Sequence, residues 1–145
     1  MSESLTSLLN KRQIPASAKS ESGFYKLAKT GISKSSRNLI LTRIETWAVP
    51  GLPDLLVYDE KHQFHFVELK HTTNNKVELR PHQVAWLSNH QEGNCWIWVR
   101  QKKRSQNKSE FYLYHAKQAV ELRMSGLKVE PFYHCVEPFL SLIHI

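Results

Sequence analysis

Three charged residues stand in or beside two apolar, strand-like segments of this 145-residue chain. Asp54 comes directly before LLVY, whereas Glu68 and Lys70 lie within FHFVELKH. Because side chains alternate between the two faces of a strand, Glu68 and Lys70 project from the same face. Carboxylate and ammonium groups are costly to bury unless other groups compensate their charge. We therefore expect a compensating ion, and a fold that brings the three residues together.

The turn EKH, which separates PDLLVYD from QFHFVELKH, predicts an antiparallel hairpin. In a hairpin the start of the first strand lies beside the end of the second, so Asp54 and Glu68 should converge. Two neighbouring carboxylates repel each other, and a hard cation such as Mg²⁺ relieves the repulsion. Such a cation lowers the pKa of a bound water and offsets charge that builds on a phosphate during hydrolysis. The Lys70 ammonium can orient that water or stabilise the same charge.

The pattern of the whole chain predicts an α/β sandwich around a mixed sheet. A helix is expected from Glu21 with Gly31 as its stop, followed by a strand over 38–47 and by the hairpin. Pro81 suits the first position of a second helix, and NCWIWVRQ is typical of a buried strand. EFYLYH and AKQAVELRM predict a further strand and helix.

The length predicts about one domain. We divide the chain into an N-terminal arm over 1–20, a domain over 21–125 and a C-terminal extension over 126–145. The last six residues, LSLIHI at 140–145, equal the translation of a transposon end that is commonly used in sequencing libraries. We expect them to be a read-through artefact, and they enter no functional argument.

Composition excludes several classes of protein. The apolar content of 41% is ordinary for a folded chain, and no apolar run has the length of a membrane span. The N-terminus has no secretory signal pattern, and the two cysteines and scattered histidines form no zinc motif. These features favour a cytoplasmic protein. The four tryptophans are interpreted as core residues rather than as stacking platforms.

Positive charge is clustered. The formal net charge is +7, and RQKKRSQNK at 100–108 contains five basic residues and no acid. Such clustering favours a polyanion, most often a nucleic acid. Lys102, Lys103 and Arg104 are the candidates for contact with a DNA backbone, and a solvated surface loop is the alternative.

The motifs together resemble the PD-(D/E)XK nuclease superfamily and, within it, the VRR-NUC branch of phages and DNA-repair enzymes. GLPD at 51–54 is similar to the G-x-P-D of that branch, and ELK at 68–70 is similar to its (D/E)-x-K. LRPHQVAW at 79–86 resembles its L-x-P-x-Q-x-x-W helix. ESGFY at 21–25 and RIE at 43–45 resemble segments of its small phage members. The resemblance extends over about residues 21–100.

The resemblance implies a restriction-endonuclease-like αβββαβ core and a set of site residues. The catalytic residues would be Asp54, Glu68, Lys70 and Gln83. The resemblance also implies Mg²⁺, with Mn²⁺ as a substitute, and its ligands would be Glu21, Asp54, Glu68 and the carbonyl of Leu69. Glu45 is the alternative to Glu21 as the accessory acid. DNA contacts would come from Arg43, Lys102, Lys103 and Arg104.

The function implied is metal-dependent hydrolysis of DNA, most specifically of branched DNA such as Holliday junctions. Symmetrical cutting of a junction needs two active sites, so a homodimer is also implied. Two alternatives remain open. One is a sequence-specific endonuclease of the restriction or homing type, and the other is a non-catalytic DNA-binding module.

Overall fold

The computed structural model describes residues 16–34, 38–46, 48–136 and 145, with side chains described from residue 23 onwards. Residues 1–15 of the expected arm and Trp47 lie outside this part. Within these ranges, three α-helices and six strands follow one another: α1 (Ala16–Lys34), β1 (Ile40–Arg43), β2 (Leu55–Tyr58), β3 (Phe64–Thr72), α2 (Pro81–Asn89), β4 (Cys95–Gln101), β5 (Glu110–His115), α3 (Ala119–Ser125) and β6 (Tyr133–Cys135). The expected order αβββαβ is found from α1 to β4.

The six strands form one sheet in sequence order. β3 and β4 are parallel, and the other neighbouring strands are antiparallel. A parallel pair needs a crossover connection, and here the crossover contains α2. The sheet is therefore mixed and flanked by helices, as the sequence predicted.

Strand alternation divides the core between the two faces of the sheet. On the α1 face, Phe24, Ala28 and Ile32 of α1 pack on strand residues that include Val67 and Trp98. On the α2 face, Leu87 of α2 and Leu122 of α3 belong to a cluster with apolar residues of β4. The apolar contacts with these helices stabilise the sheet that carries the acidic residues. No helix of the described chain has the length and apolar character needed to cross a membrane.

The structure differs from the sequence prediction at α1, β1 and β6. α1 begins at Ala16 and continues through Gly31 to Lys34, so the predicted stop at Gly31 was wrong. One glycine costs a helix only about 1 kcal/mol, and Ile32, just beyond it, is 6% exposed and buried on the sheet. β1 covers less than the predicted 38–47, and β6 was not predicted.

A buried Asp59–His65–Trp96 chain fixes the turn between β2 and β3. The indole N–H of Trp96 donates to His65 Nδ1 at 3.1 Å, so the other ring nitrogen carries the proton and donates to Asp59 Oδ2 at 2.8 Å. Oδ1 of Asp59 accepts from the backbone N–H groups of Lys61 and Gln63 at 2.8 and 2.9 Å. Burial raises the pKa of Asp59, but these hydrogen bonds outweigh it and hold the pKa below its ordinary value.

Replacing Asp59 with alanine is expected to lower the free energy of unfolding by about 3 kcal/mol at pH 7, because buried donors lose their acceptor. Since the folded pKa of Asp59 is lowered, its contribution is present above the unfolded pKa and disappears as pH falls through the folded pKa. The difference between wild type and variant should therefore shrink towards pH 3. Urea unfolding at the two pH values measures it, with the exposed Glu60→Ala as control. A constant difference would contradict the ionic role of Asp59.

Candidate active site

Asp54 and Glu68 lie side by side where β2 begins. Leu55 pairs with Val67, so the residue before Leu55 is opposite the residue after Val67. Asp54 Oδ2 accepts a hydrogen bond from the Leu69 N–H at 3.0 Å, and the neighbouring Glu68 side chain influences the pKa of Asp54. Glu68 is only 1% exposed. The predicted convergence of the two acids is therefore found, with Glu68 buried and Asp54 partly exposed.

The electrostatics of this acidic pair favour a bound positive ion. Burial raises the pKa of Asp54 above its ordinary value. Weaker opposing effects come from the Leu69 amide, Lys70, Glu68 and Arg43, and they do not cancel the rise. A divalent cation bound between the acids would favour the ionised form of both, since a ligating carboxylate must be ionised.

Lys70 and Gln83 form a hydrogen-bonded ring with Glu68. The Lys70 Nζ lies 3.5 Å from Glu68 Oε1 and donates to Gln83 Oε1 at 3.0 Å. Gln83 Nε2 donates to the same Glu68 oxygen at 2.8 Å. The Arg80 N–H donates to Gln83 Oε1 at 2.9 Å, which ties the side chain to the start of α2. The ring holds the Lys70 ammonium beside the acidic pair.

Gly51 explains how α2 comes so close to the acidic pair. Its φ of +82° lies in the left-handed region, and a Cβ at this position would overlap the carbonyl group of His82. Glycine satisfies both requirements, because it has no side chain and adopts positive φ without strain. His82 directly precedes Gln83, so this close packing positions the Gln83 amide. The glycine of the G-x-P-D motif therefore has a structural role in this chain.

The ligand atoms present suit a magnesium ion that keeps water ligands better than a metal held by protein ligands alone. Within the described residues there is no group of three or more His, Cys, Asp or Glu that could hold a metal ion. Magnesium takes few protein carboxylates and retains several waters, so the Asp54–Glu68 pair suits it. The side chain of Glu21, in α1, is outside those described. The side chain of Glu45 is 77% exposed and pairs with Arg43 at 3.4 Å.

The basic loop predicted from the sequence begins near Lys70. The Lys102 N–H donates to the carbonyl of Thr72 at 2.9 Å, at the end of the strand that carries Lys70. The side chains of Lys102 and Arg104 are exposed, and that of Lys103 is partly buried. The loop thus begins beside the end of β3, the strand that carries Glu68 and Lys70.

His71 and Arg100 extend this basic region and were not assigned from the sequence. They pair across the parallel strands, His71 on β3 and Arg100 on β4. Burial lowers the pKa of His71, and the charges of Arg100 and Lys102 act in the same direction. Burial also lowers the pKa of Arg100, whose Nε donates to Ser109 Oγ at 3.0 Å. Arg100 was counted in the basic run 100–108 without being given a role, and its proximity to His71 depends on strand register.

Comparison with solved structures finds a chain described as "VRR_NUC domain". It is 21% identical, the match covers 70% of this chain and 91% of that chain, and the TM-score is 0.44. Neither a family model nor a curated protein matches the sequence. At this identity and TM-score the likeness does not support an activity, so a functional proposal depends on the residues of the site itself.

Proposed function

We propose that this protein is a metal-dependent DNA endonuclease that hydrolyses phosphodiester bonds. The observation that carries the proposal is the adjacent Asp54–Glu68 carboxyl pair, in which Glu68 is buried and the Lys70 ammonium lies 3.5 Å from Glu68. The net charge of +7 supports a polyanionic substrate. The ordered motifs that resemble the PD-(D/E)XK nucleases support the same reaction.

Each residue of the site has a role in this proposal. Asp54, Glu68 and the Leu69 carbonyl would hold Mg²⁺, or Mn²⁺ in its place, with Glu21 as the accessory acid. The cation would supply charge neutralisation at the phosphate and activation of water. Lys70 would orient the attacking water or donate to a phosphate oxygen. Gln83 would keep Lys70 and Glu68 in a fixed relative position through the observed hydrogen bonds.

The substrate we propose is branched DNA, such as a Holliday junction, cut by a homodimer to leave 5′-phosphate ends. Support for this finer assignment comes from the sequence resemblance to small stand-alone nucleases. A dimer would provide two active sites, which symmetrical cutting of a junction requires.

Cleavage of a defined set of DNAs tests the proposal. Labelled four-way junctions, flaps, nicked duplex and linear duplex are incubated with wild type in Mg²⁺ and in EDTA, beside Asp54→Ala. The proposal expects cleavage in Mg²⁺ alone, loss of cleavage in Asp54→Ala and a preference for the junction. Equal cleavage by both proteins would remove the proposed site. Equal cutting of junction and linear duplex would remove the structure selectivity and favour a different endonuclease class.

Replacing Gln83 with alanine is expected to lower cleavage by about 10- to 100-fold, the usual effect of losing a group that orients a metal ligand. The protein should remain folded, because Gln83 is partly exposed. Single-turnover cleavage with a magnesium titration is the measurement, with the exposed Gln91→Ala as matched control. An unchanged rate in Gln83→Ala would show that the hydrogen-bonded ring has no catalytic importance.

Replacing Lys102, Lys103 and Arg104 with glutamine is expected to weaken DNA binding and to flatten its salt dependence. Each lost phosphate contact should reduce the slope of log K against log salt by about 1. Fluorescence anisotropy at several salt concentrations, in EDTA, measures the slope. The matched control replaces the exposed Lys26, Lys29 and Lys34 of α1, the helix on the sheet face opposite the acidic pair. Equal changes in the two triple variants would place the DNA elsewhere.

A further inference from the structure

An exposed aromatic patch continues the sheet face on which the acidic pair lies. In the strand register, Tyr58 stands between Ile40 and Phe64. Asp54 and Tyr58 have the same parity along the chain, so both project from the α2 face. Between them on this face is Leu56. We call the following residues the aromatic patch: Ile40, Thr42, Leu56, Tyr58, His62 and Phe64, which together line an open cavity of about 350 Å³.

Three rings of the patch are arranged as a cluster. The Tyr58 and Phe64 centroids are 4.9 Å apart, and those of Tyr58 and His62 are 5.9 Å apart. The Tyr58 hydroxyl group and His62 Nδ1 are hydrogen-bonded at 3.0 Å, which fixes both rings. Phe64 is 58% and Ile40 60% exposed. Apolar rings held at this exposure offer flat surfaces for a partner.

The position of the patch decides what kind of partner fits. Successive residues on one strand face are separated by about 7 Å, so the patch begins one step from Asp54 at Leu56. A partner that occupies the patch while a phosphate is held at the acidic pair must continue from that phosphate along the same sheet face. The neighbouring nucleotides of the same strand meet this requirement.

We infer that the aromatic patch stacks unpaired bases of the DNA strand next to the phosphate that is cut. Aromatic side chains bind bases of any sequence by stacking, but only where the base faces are free of a duplex stack. The site would therefore select DNA with a single-stranded or splayed segment beside the cut. This inference rests on the proposed function in one respect, that the bound bases lie next to the phosphate that is cut. The binding of bases to the patch does not depend on the proposed function.

Binding of single-stranded DNA in EDTA tests the inference. Wild type is titrated by fluorescence anisotropy against labelled oligothymidine and against an abasic oligomer of equal length and charge. We expect the base-containing strand to bind about tenfold tighter. Tyr58→Leu and Phe64→Leu should lose this difference, since leucine keeps apolar area but has no ring. Phe132→Leu, at a phenylalanine that is 54% exposed outside the patch, should keep it.

Three results would overturn the inference. The first is equal affinity of wild type for both oligomers, and the second is an undiminished preference in Phe64→Leu. The third is a wild-type dimer that Phe64→Leu dissociates in sedimentation, because this result would assign the patch to a second copy of the chain. Cleavage assays in Mg²⁺ separate this inference from the proposed function. If the protein cuts DNA but binds both oligomers equally, only the base-stacking role of the patch is rejected. If the protein prefers the base-containing oligomer but does not cut DNA, the nuclease function is rejected and the base-stacking role is retained.

Discussion

The Asp54→Asn variant is expected to lose about 10³-fold in phosphodiester cleavage and, without divalent metal, to unfold at a higher temperature than wild type. Activity falls because a preorganised charge is removed from the reacting site. Stability rises because burial raises the pKa of Asp54, so wild type at neutral pH pays a desolvation cost that asparagine avoids. The asparagine oxygen can still accept the Leu69 N–H. We expect a rise in Tm of about 3–5 °C, which is roughly 1 kcal/mol in a domain of this size.

The stability gain of Asp54→Asn should depend on pH. Because the folded pKa of Asp54 is raised above the ordinary 3.8, its favourable contribution is complete below the unfolded pKa and disappears as pH rises through the folded pKa. Wild type and variant should therefore have similar Tm values near pH 3 and differ at pH 7. Calorimetric melting in EDTA measures this, with the exposed Glu92→Gln as a control of equal charge change. An asparagine variant that is less stable than wild type at pH 7 would contradict the electrostatic reading of the site.

Replacing Lys70 with methionine is expected to lower cleavage by about 10²-fold and the free energy of unfolding by about 3 kcal/mol. Lys70 has a side chain that is 12% exposed, and it lies 3.5 Å from a carboxylate that is almost completely buried. Methionine fills similar volume but removes the positive charge. The Glu68 carboxylate would then remain buried without the positive charge that compensates it, and a buried charge of this kind is costly at neutral pH. Urea unfolding and single-turnover cleavage measure the two effects.

A double variant distinguishes charge compensation from simple packing. Lys70→Met combined with Glu68→Gln removes both charges, while the glutamine oxygen can still accept from Gln83 Nε2. We expect the double variant to recover most of the stability that Lys70→Met loses and none of the activity. Comparison of the double variant with the two single variants gives the coupling energy between the two positions. Lys76→Met, at an exposed lysine, is the control for the substitution itself. A Lys70→Met protein as stable as wild type would mean that the ammonium does not compensate Glu68.

The acidic pair could be predicted from the sequence because its geometry is local. A short turn between two alternating segments fixes the hairpin, and alternation then places Asp54 opposite Glu68 and puts Lys70 on the same face. Pro81 similarly marked the start of α2, which carries Gln83. These features depend on residues close together in the chain, where strand period and helix-start rules apply directly.

The features that the sequence did not predict depend on tertiary contacts. α1 continues past Gly31 because the sheet buries Ile32, and a local pattern cannot weigh that burial against glycine's helix propensity. The Asp59–His65–Trp96 chain joins residues far apart in sequence, and nothing in their spacing indicates it. Arg100 reaches His71 only through the register of the parallel β3–β4 pair. Long-range register and burial therefore account for most of what remained unpredicted.

Calorimetric titration of the metal-free protein with Mn²⁺ and Mg²⁺ tests most directly whether Asp54 and Glu68 together hold a divalent cation. Wild type should show one saturable site per chain, with binding that strengthens as pH rises because the cation displaces a proton. Asp54→Asn and Glu68→Gln should each lose the site, and Glu92→Gln should retain it. Saturable binding of equal affinity in wild type and both site variants would contradict the account.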